Sequence, residues 1–389
     1  MKNLLLKAIQ SVQKAELAYC KFLSANDTKA TGGHQSGYLI SKSAWSLFLK
    51  NEPQKGENVK VNISIEWQGY FTTESTFTYY GAAKNEFRLT NFGRSFPFRE
   101  EDNVGDLFIL TRIEGNNFQA FILEHDEDIE EFFTSFGISA TETNRLIEKE
   151  VKPSSEANLL QCFLTFIKTV KVDFPTTIEL SRNARNCYIK SYGITEKQII
   201  ENPDKELLSW IEAEYQLFKT FENDRYSTQI KSLFKNVEEL VEFANTILNR
   251  RKSRAGKSLE HHLGELFNIF KINYSIQGVT EENKRPDFLF PSVEAYHNSR
   301  FDSKKLVFLA SKTTCKDRWR QILNEADRIK EKHLFTLQQG ISKNQLTEMY
   351  KYGVKLVVPK PYLNTFPKEF REKILTVESF VPFLRSKQK

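Results

Sequence analysis

The sequence is short of long apolar runs, of paired cysteines and of strong charge bias, and each shortage closes off a class of function. No stretch of the 389 residues approaches the roughly 18 apolar residues of a membrane-spanning helix, and the opening Met1 to Leu6 run is too short for a signal-peptide core. A soluble, cytoplasmic protein without a membrane role is expected. The four cysteines, Cys20, Cys162, Cys187 and Cys315, include no CxxC pair. That speaks against a disulfide framework and a structural zinc site, and they read as reduced, buried thiols. Internal repeats and low-complexity tracts are missing. The charge balance is mild, 56 Lys and Arg against 50 Asp and Glu, so a polyanionic partner is indicated only where the basic residues cluster.

What is present can fill cores. Hydrophobic residues make up 40% and charged residues 27%, with 32 Phe and 14 Tyr, a composition too apolar for a disordered chain. The length exceeds the ~100–200 residues of a common domain, so two domains are expected. Val59 to Trp67 alternates apolar and polar residues with the period of a half-buried strand, and β-rich runs follow at Phe77–Tyr80, Phe87–Phe92, Asp106–Ile113 and Phe118–Leu123. The EHDEDIEEFF run from Glu124 reads as a solvated acidic helix face or loop, the alternative being an acidic interaction segment that partners a basic cleft. A linker is expected across residues 146–173, centred on Lys152-Pro153-Ser154-Ser155, between a mostly β domain at 1–145 and an α/β domain at 174–389. In the second half, Leu207, Ile211, Tyr215 and Phe218 share a helical face, as do Leu259, Leu263, Leu266, Phe267 and Phe270. Short apolar strands interleave at Asp287–Phe290, Leu306–Ala310, Leu334–Leu337 and Val354–Val358, with a helix carrying Trp319, Ile322, Leu323, Ala326 and Ile329 between them.

The chemistry concentrates at the ends of those strands. Asp287 opens one strand and Lys312 follows another, so a carboxylate and an ammonium are expected side by side. A carboxylate there can hold Mg²⁺, and a nearby lysine can orient or deprotonate the water that attacks a phosphodiester. This resembles the PD-(D/E)xK nuclease core, except that Ala310 occupies the usual acidic position two before the lysine. A second carboxylate must come from elsewhere. Glu325, on the expected helix after Lys312, and Glu260, beside the apolar stripe of the preceding helix, are the candidates. Two basic clusters flank the pair. Arg250, Arg251 and Arg254 suit phosphate contacts, whereas Lys316, Asp317 and Arg318 carry the donors and the acceptor that read G·C pairs. The plainer alternatives are a strand-start aspartate, a solvated lysine and a charged helix start.

The words themselves resemble a known family. RRKSRAGKSLE (Arg250–Glu260), RPDFLFPSVEAYH (Arg285–His297), KTTCKDRWRQILNEAD (Lys312–Asp327), HLFTLQQGIS (His333–Ser342) and VKLVVP (Val354–Pro359) are similar to the catalytic domain of the EcoRII-type restriction endonucleases. LSANDTKATGGHQSGYLI (Leu23–Ile40) and NEFRLTNFGR (Asn85–Arg94) are similar to that family's amino-terminal effector-binding domain. The resemblance implies an all-β DNA-binding pseudobarrel, like those of plant auxin-response transcription factors, followed by a restriction-endonuclease-like α/β core with a mixed sheet. It implies Asp287, Lys312 and a displaced Glu325 as catalytic residues, Asp287 and Glu325 as Mg²⁺ ligands, and Glu260 as an auxiliary glutamate. It also implies CC(A/T)GG-like sites read by Lys316, Asp317 and Arg318, a homodimer formed by the catalytic domain, and a second, effector copy of double-stranded DNA. On the amino-terminal domain the effector contacts would be His34, Gln35 and Tyr38 on one arm, and Lys84, Asn85, Glu86, Arg88 and Arg94 on the other. Phe87 and Asn91 depart from that pattern. The rival readings are a sequence-specific DNA-binding regulator with an inactive nuclease fold, and a methyl-directed or repair nuclease.

Overall fold

The structure, a computed structural model, describes residues 2–28, 37–93, 95–147 and 157–388. Two sheets organise it. The first is built from β1 (Leu17–Phe22), β2 (Tyr38–Ile40), β3 (Asn58–Trp67), β4 (Phe71–Tyr80), β5 (Phe87–Thr90), β6 (Leu107–Glu114), β7 (Asn117–Leu123) and β8 (Arg145–Leu146). Its order is β2-β5-β4-β3-β7-β6-β1-β8, antiparallel except for the β3–β7 pair. The alternation of β3 places Ile63, Ile65 and Trp67 inward, where they join Phe77, Phe108 and Phe118 in an aromatic core. Helices α1 (Lys2–Lys14) and α2 (Asp126–Phe136) lie against this sheet, so the amino-terminal part is mostly, not wholly, β.

The second half opens with long helices: α3 (Ala157–Thr169), α4 (Thr177–Tyr192), α5 (Glu196–Glu201), α6 (Pro203–Lys231) and α7 (Val237–Ile269). The expected linker is corrected here. Residues 148–156, which include Lys152 to Ser155, lie outside the described residues, and Ala157–Thr169 is a helix whose Leu159, Phe163 and Ile167 pack on Leu180, Ala184, Leu217 and Phe221. Its apolar periodicity, not its flanking polar residues, decides its state. The expectation of four free thiols is corrected as well: Cys162 and Cys187 form a disulfide between α3 and α4, while Cys20 and Cys315 are free and buried.

A mixed sheet follows, β9 (Ser275–Ile276), β10 (Phe288–Phe290), β11 (Val307–Lys312), β12 (Lys332–Thr336) and β13 (Val354–Val357), ordered β13-β12-β11-β10-β9. The β11–β12 and β12–β13 pairs are parallel and the β10–β11 pair is antiparallel. Helix α7 covers one face through Leu259, Leu263, Leu266 and Phe267. Tyr296, Trp319, Ile322 and Met349 fill the other. One apolar cluster runs from Phe22, Ile129 and Phe132 of the amino-terminal part to Trp210, Ile211 and Leu259 of the helical part, so the two sheets share packed surface. Among the described residues no helix is long and apolar enough to cross a membrane.

Candidate active site and its cover

Strand pairing brings the expected catalytic residues together. Phe288 lies opposite Leu309, so Asp287 and Ser311 meet at the same end of the sheet, with Lys312 next in line. Asp287 is buried, and its Oδ2 accepts hydrogen bonds from the Ser311 amide (2.8 Å) and hydroxyl (3.2 Å). Gln277 donates to Asp287 Oδ1 at 3.3 Å and to Glu260 Oε2 at 3.2 Å, bridging the two carboxylates. Lys257 reaches both Glu260 oxygens at 3.2 Å. Burial and then the Asp287 charge push the Glu260 carboxyl above its ordinary value. The same two causes raise Glu325, with Lys312, Lys332 and Lys284 acting in the opposite sense. Asp287 is thus within electrostatic reach of both glutamates, and Glu325 is within reach of Lys312 as well.

One expectation about Glu325 fails. The stripe from Trp319 to Ile329 is no helix: a 3₁₀ turn spans Trp319–Ile322, and Ala326 adopts φ 51°. The apolar spacing is real, since Trp319, Ile322, Ala326 and Ile329 are all buried, but a turn followed by a left-handed residue satisfies it. Glu325 is delivered from a loop.

The Asp287 charge raises both Glu260 and Glu325, and a hard divalent cation among these carboxylates would relieve that repulsion. Among the described residues no three acidic, His or Cys side chains form a ready coordination cluster.

The basic residues are less free than their sequence suggests. Arg254 is 3% exposed, pairs with Glu214 at 3.4 Å and stacks 3.9 Å from the Tyr215 ring centre. It is an interior residue, and its assignment as a phosphate contact is corrected. Arg251 forks onto Glu222 (2.8 and 2.9 Å) and donates to the carbonyls of Thr134 and Ser135 at the end of α2. Arg250 hydrogen-bonds Tyr226 and lies over Phe174. In this arrangement both serve internal partners.

The triplet expected to read bases is engaged by the amino-terminal part. Lys316 is 8% exposed, its ammonium bound to the Asp106 carboxylate and to the Asp102 carbonyl (3.0 Å). Asp126 and Asp317 exchange hydrogen bonds, each backbone amide donating to the other's carboxylate at 2.6 and 3.1 Å. Arg318 pairs with Glu130 at 2.7 Å. Asp126 and Glu130 belong to the EHDEDIEE run. This acidic segment forms α2, with Asp126, Glu127 and Asp128 in its first turn, where the helix dipole favours negative charge, and Ile129, Phe132 and Phe133 buried. Its expected solvated acidic face is in contact with the second half. A cavity of about 480 Å³ lies beneath α2, lined by Glu130, Arg251, Glu260, Ser311, Lys312 and Arg318 among others.

The proposed effector contacts fare unevenly. His34, Gln35 and Arg94 lie outside the described residues. Tyr38 is corrected: it is fully buried against Trp67, Phe92, Phe96 and Phe108, and its hydroxyl donates to the Phe98 carbonyl. Arg88 is 6% exposed and paired with Glu86 at 2.9 Å, which removes it from a free DNA-contacting edge. Asn85, at φ 50°, accepts the Tyr79 hydroxyl at 2.8 Å and shapes the turn, while Lys84 is exposed. Gln277, Ser311 and Asp106 escaped the sequence reading. Only Ser311, next to Lys312, carried any local signal.

The family model described as EcoRII C terminal matches residues 218–381, and that described as restriction endonuclease EcoRII, N-terminal, matches residues 12–141. The Type II restriction enzyme EcoRII of Escherichia coli is 35% identical over 390 residues, covering 93% of this chain and 92% of that protein. The chain belongs to the EcoRII family. It is a Type II restriction endonuclease acting on DNA. The Type II restriction enzyme SsoII of Shigella sonnei is 27% identical over 141 residues, 34% of this chain and 45% of that enzyme. Among solved structures, metal-depleted Ecl18kI in complex with uncleaved, modified DNA has a TM-score of 0.47 and 22% identity, over 58% of this chain and 83% of that one. In this EcoRII-family chain the site at the ends of β10 and β11 falls within the carboxy-terminal family match, and the acids of α2 that face it fall within the amino-terminal one.

Proposed function

We propose that this restriction endonuclease is Mg²⁺-dependent and cuts both strands of CC(A/T)GG-like sites. In this reading the nuclease part at residues 174–389 is held closed by the β-rich part at 1–145 until that part binds a second copy of the site. The observation that carries it is the convergence of Asp287, Glu325, Glu260 and Lys312 beside Lys316, Asp317 and Arg318. Asp287 and Glu325 hold the metal and Glu260 assists. The bound ion supplies positive charge at the scissile phosphate and lowers the pKa of a water molecule. Lys312 orients that water and Ser311 fixes the Asp287 carboxylate, while Gln277 keeps Asp287 and Glu260 apart at a set spacing. Lys316 and Arg318 donate to guanine edges and Asp317 accepts from cytosine. One active site cuts one strand, so a cytoplasmic homodimer joined through the catalytic part suits a two-fold site.

The amino-terminal sheet is read as a DNA-binding pseudobarrel, with Lys84 the exposed member of the second arm. Its acids on α2 and at Asp106 take the place of DNA on the base-reading side chains. Plasmid cleavage with Mg²⁺ and with chelator tests the catalytic reading: linearisation is expected only with metal, and metal-independent cutting, or none under any condition, would overturn it. Mapping the cut positions on a sequenced phage genome tests the site.

A further inference from the structure

With alanine at position 310, β11 lacks the carboxylate that would stand two residues before Lys312, and the site depends on Glu325. That residue sits on a loop with little regular structure. The backbone passes a 3₁₀ turn and then Ala326 at φ 51°, a conformation that a side-chain-bearing residue holds only when its surroundings impose it. Two anchors impose it here.

The first is Lys332, 3% exposed at the start of β12. Its ammonium donates to the carbonyl of Glu325 and, at 2.6 Å, to that of Ala326, while it lies 5.1 Å from the Phe308 ring centre. Phe308 is the β11 residue in register with Lys332, four residues before Lys312. The loop is therefore referenced to the strand pair that carries the catalytic lysine. The second anchor is Glu281, just upstream of Asp287. Its carboxylate accepts the Tyr296 hydroxyl (2.5 and 2.6 Å) and the Asp327 amide (3.3 Å). Arg328 then grips the carbonyls of Tyr296, Asn298 and Phe301. The first anchor ties the Glu325 loop to the strand that bears Lys312, and the second ties it to the segment leading into Asp287.

We propose that Lys332 is a positioning residue for the Glu325 carboxylate, with Glu281 as the second anchor, and that the two set the affinity of the metal site. The inference rests on Glu325 holding metal, as proposed above. A buried lysine whose donors end on two adjacent carbonyls fixes the path of the backbone, and a carboxylate three bonds from that backbone has its origin and direction set by it.

The test uses the full-length chain and its Lys332→Met, Lys332→Arg, Glu281→Gln and Glu325→Ala variants. Two curves are measured: the rise in melting temperature with Ca²⁺, which reports metal binding without turnover, and cleavage rate against Mg²⁺ concentration. Lys332→Met is expected to raise the half-saturating metal concentration at least tenfold in both, with Lys332→Arg recovering part of the loss and Glu325→Ala losing the Ca²⁺ response. A wild-type half-saturation in Lys332→Met, with the response lost in Glu325→Ala, would overturn the positioning role and leave the proposed function standing. A wild-type response in Glu325→Ala would overturn both. Should Lys332→Met fail to melt cooperatively, Glu281→Gln decides: a tenfold shift supports the proposal, and wild-type behaviour defeats it.

Discussion

Asp287 and Lys312 sit at neighbouring strand ends, and their separate tasks make separate losses. In the proposed mechanism Asp287→Ala removes a metal ligand and also leaves the Ser311 amide without its acceptor, whereas Lys312→Ala removes the group assigned to the attacking water. Each is expected to lower cleavage by at least about 10³-fold while Ca²⁺-supported specific binding survives, because base reading is assigned to other side chains in the proposed function. Gel-shift and single-turnover assays together check this, and substantial cutting by either variant would remove that residue from the chemistry. The glutamates add a pH prediction. Burial and Asp287 hold Glu260 and Glu325 above the ordinary carboxylate value. A carboxyl with a raised pKa favours its protonated form in the folded state, so it weakens the metal-free fold as pH rises through that range, and metal competes with the proton. The Ca²⁺-induced rise in melting temperature should therefore be larger at pH 8 than at pH 5.5. Glu325→Gln should abolish that difference without lowering metal-free stability. These positions were legible in the sequence because Pro-Asp and Ser-Lys bracket strands. Gln277 was not legible, since a lone glutamine joins two carboxylates only after folding.

At the scale of elements, α2 is where sequence and structure diverge most usefully. EHDEDIEE reads as solvated by composition, yet Ile129, Phe132 and Phe133 give it a buried stripe, and its acids meet Asp317 and Arg318 across the chain. Periodicity alone cannot say what a polar face will touch. The Trp319–Ile329 stripe teaches the converse, because helical spacing was satisfied there by a 3₁₀ turn and a left-handed alanine. Tyr38 and Arg88 were assigned from resemblance alone, which does not reveal burial: Tyr38 lies in the aromatic core, and Arg88, between the core residues Phe87 and Leu89, is buried against Glu86. A prediction belongs to this scale. Arg318 bonds Glu130 in the closed form and is proposed to read a base in the open one, so Arg318→Ala should act in two directions. It should cost ~1–3 kcal/mol of discrimination at one base pair while weakening the cover by about 0.2–1 kcal/mol, the range for a partly exposed ion pair. Competition binding against single-base variants of the site separates the two effects. Equal weakening for all duplexes would contradict base reading.

The whole molecule is a nuclease part packed against an amino-terminal β-rich part, joined by one continuous apolar cluster and a set of ion pairs. Two parts in this order were readable from the change of hydrophobic period near the middle of the chain, but their contact was not, because nothing local encodes a surface made from residues some 190 apart. A fragment that removes the regulator must keep α3, whose Leu159, Phe163 and Ile167 cover α4 and α6. A fragment of residues 157–389 is therefore expected to be more soluble and to melt higher than one beginning at Lys171, and to cut single-site DNA at least as fast as the full chain.

Control by an effector requires that the closed and open forms differ in their contacts, since a ligand shifts an equilibrium only by what it gains between them. In the proposed regulation, the contacts of Asp126 and Glu130 with Asp317 and Arg318 are the difference. The decisive measurement is single-turnover cleavage of a linear duplex carrying one site, in Mg²⁺, by the full-length enzyme and by its Asp126→Ala/Glu130→Ala double variant, each with and without a short site-bearing duplex. The wild type should be slow alone and stimulated by the added duplex. The double variant should be about tenfold faster alone, equivalent to ~1.4 kcal/mol lost from the closed form, and little stimulated. A double variant no faster than wild type, with the same response to added duplex, would contradict a cover built from these acids.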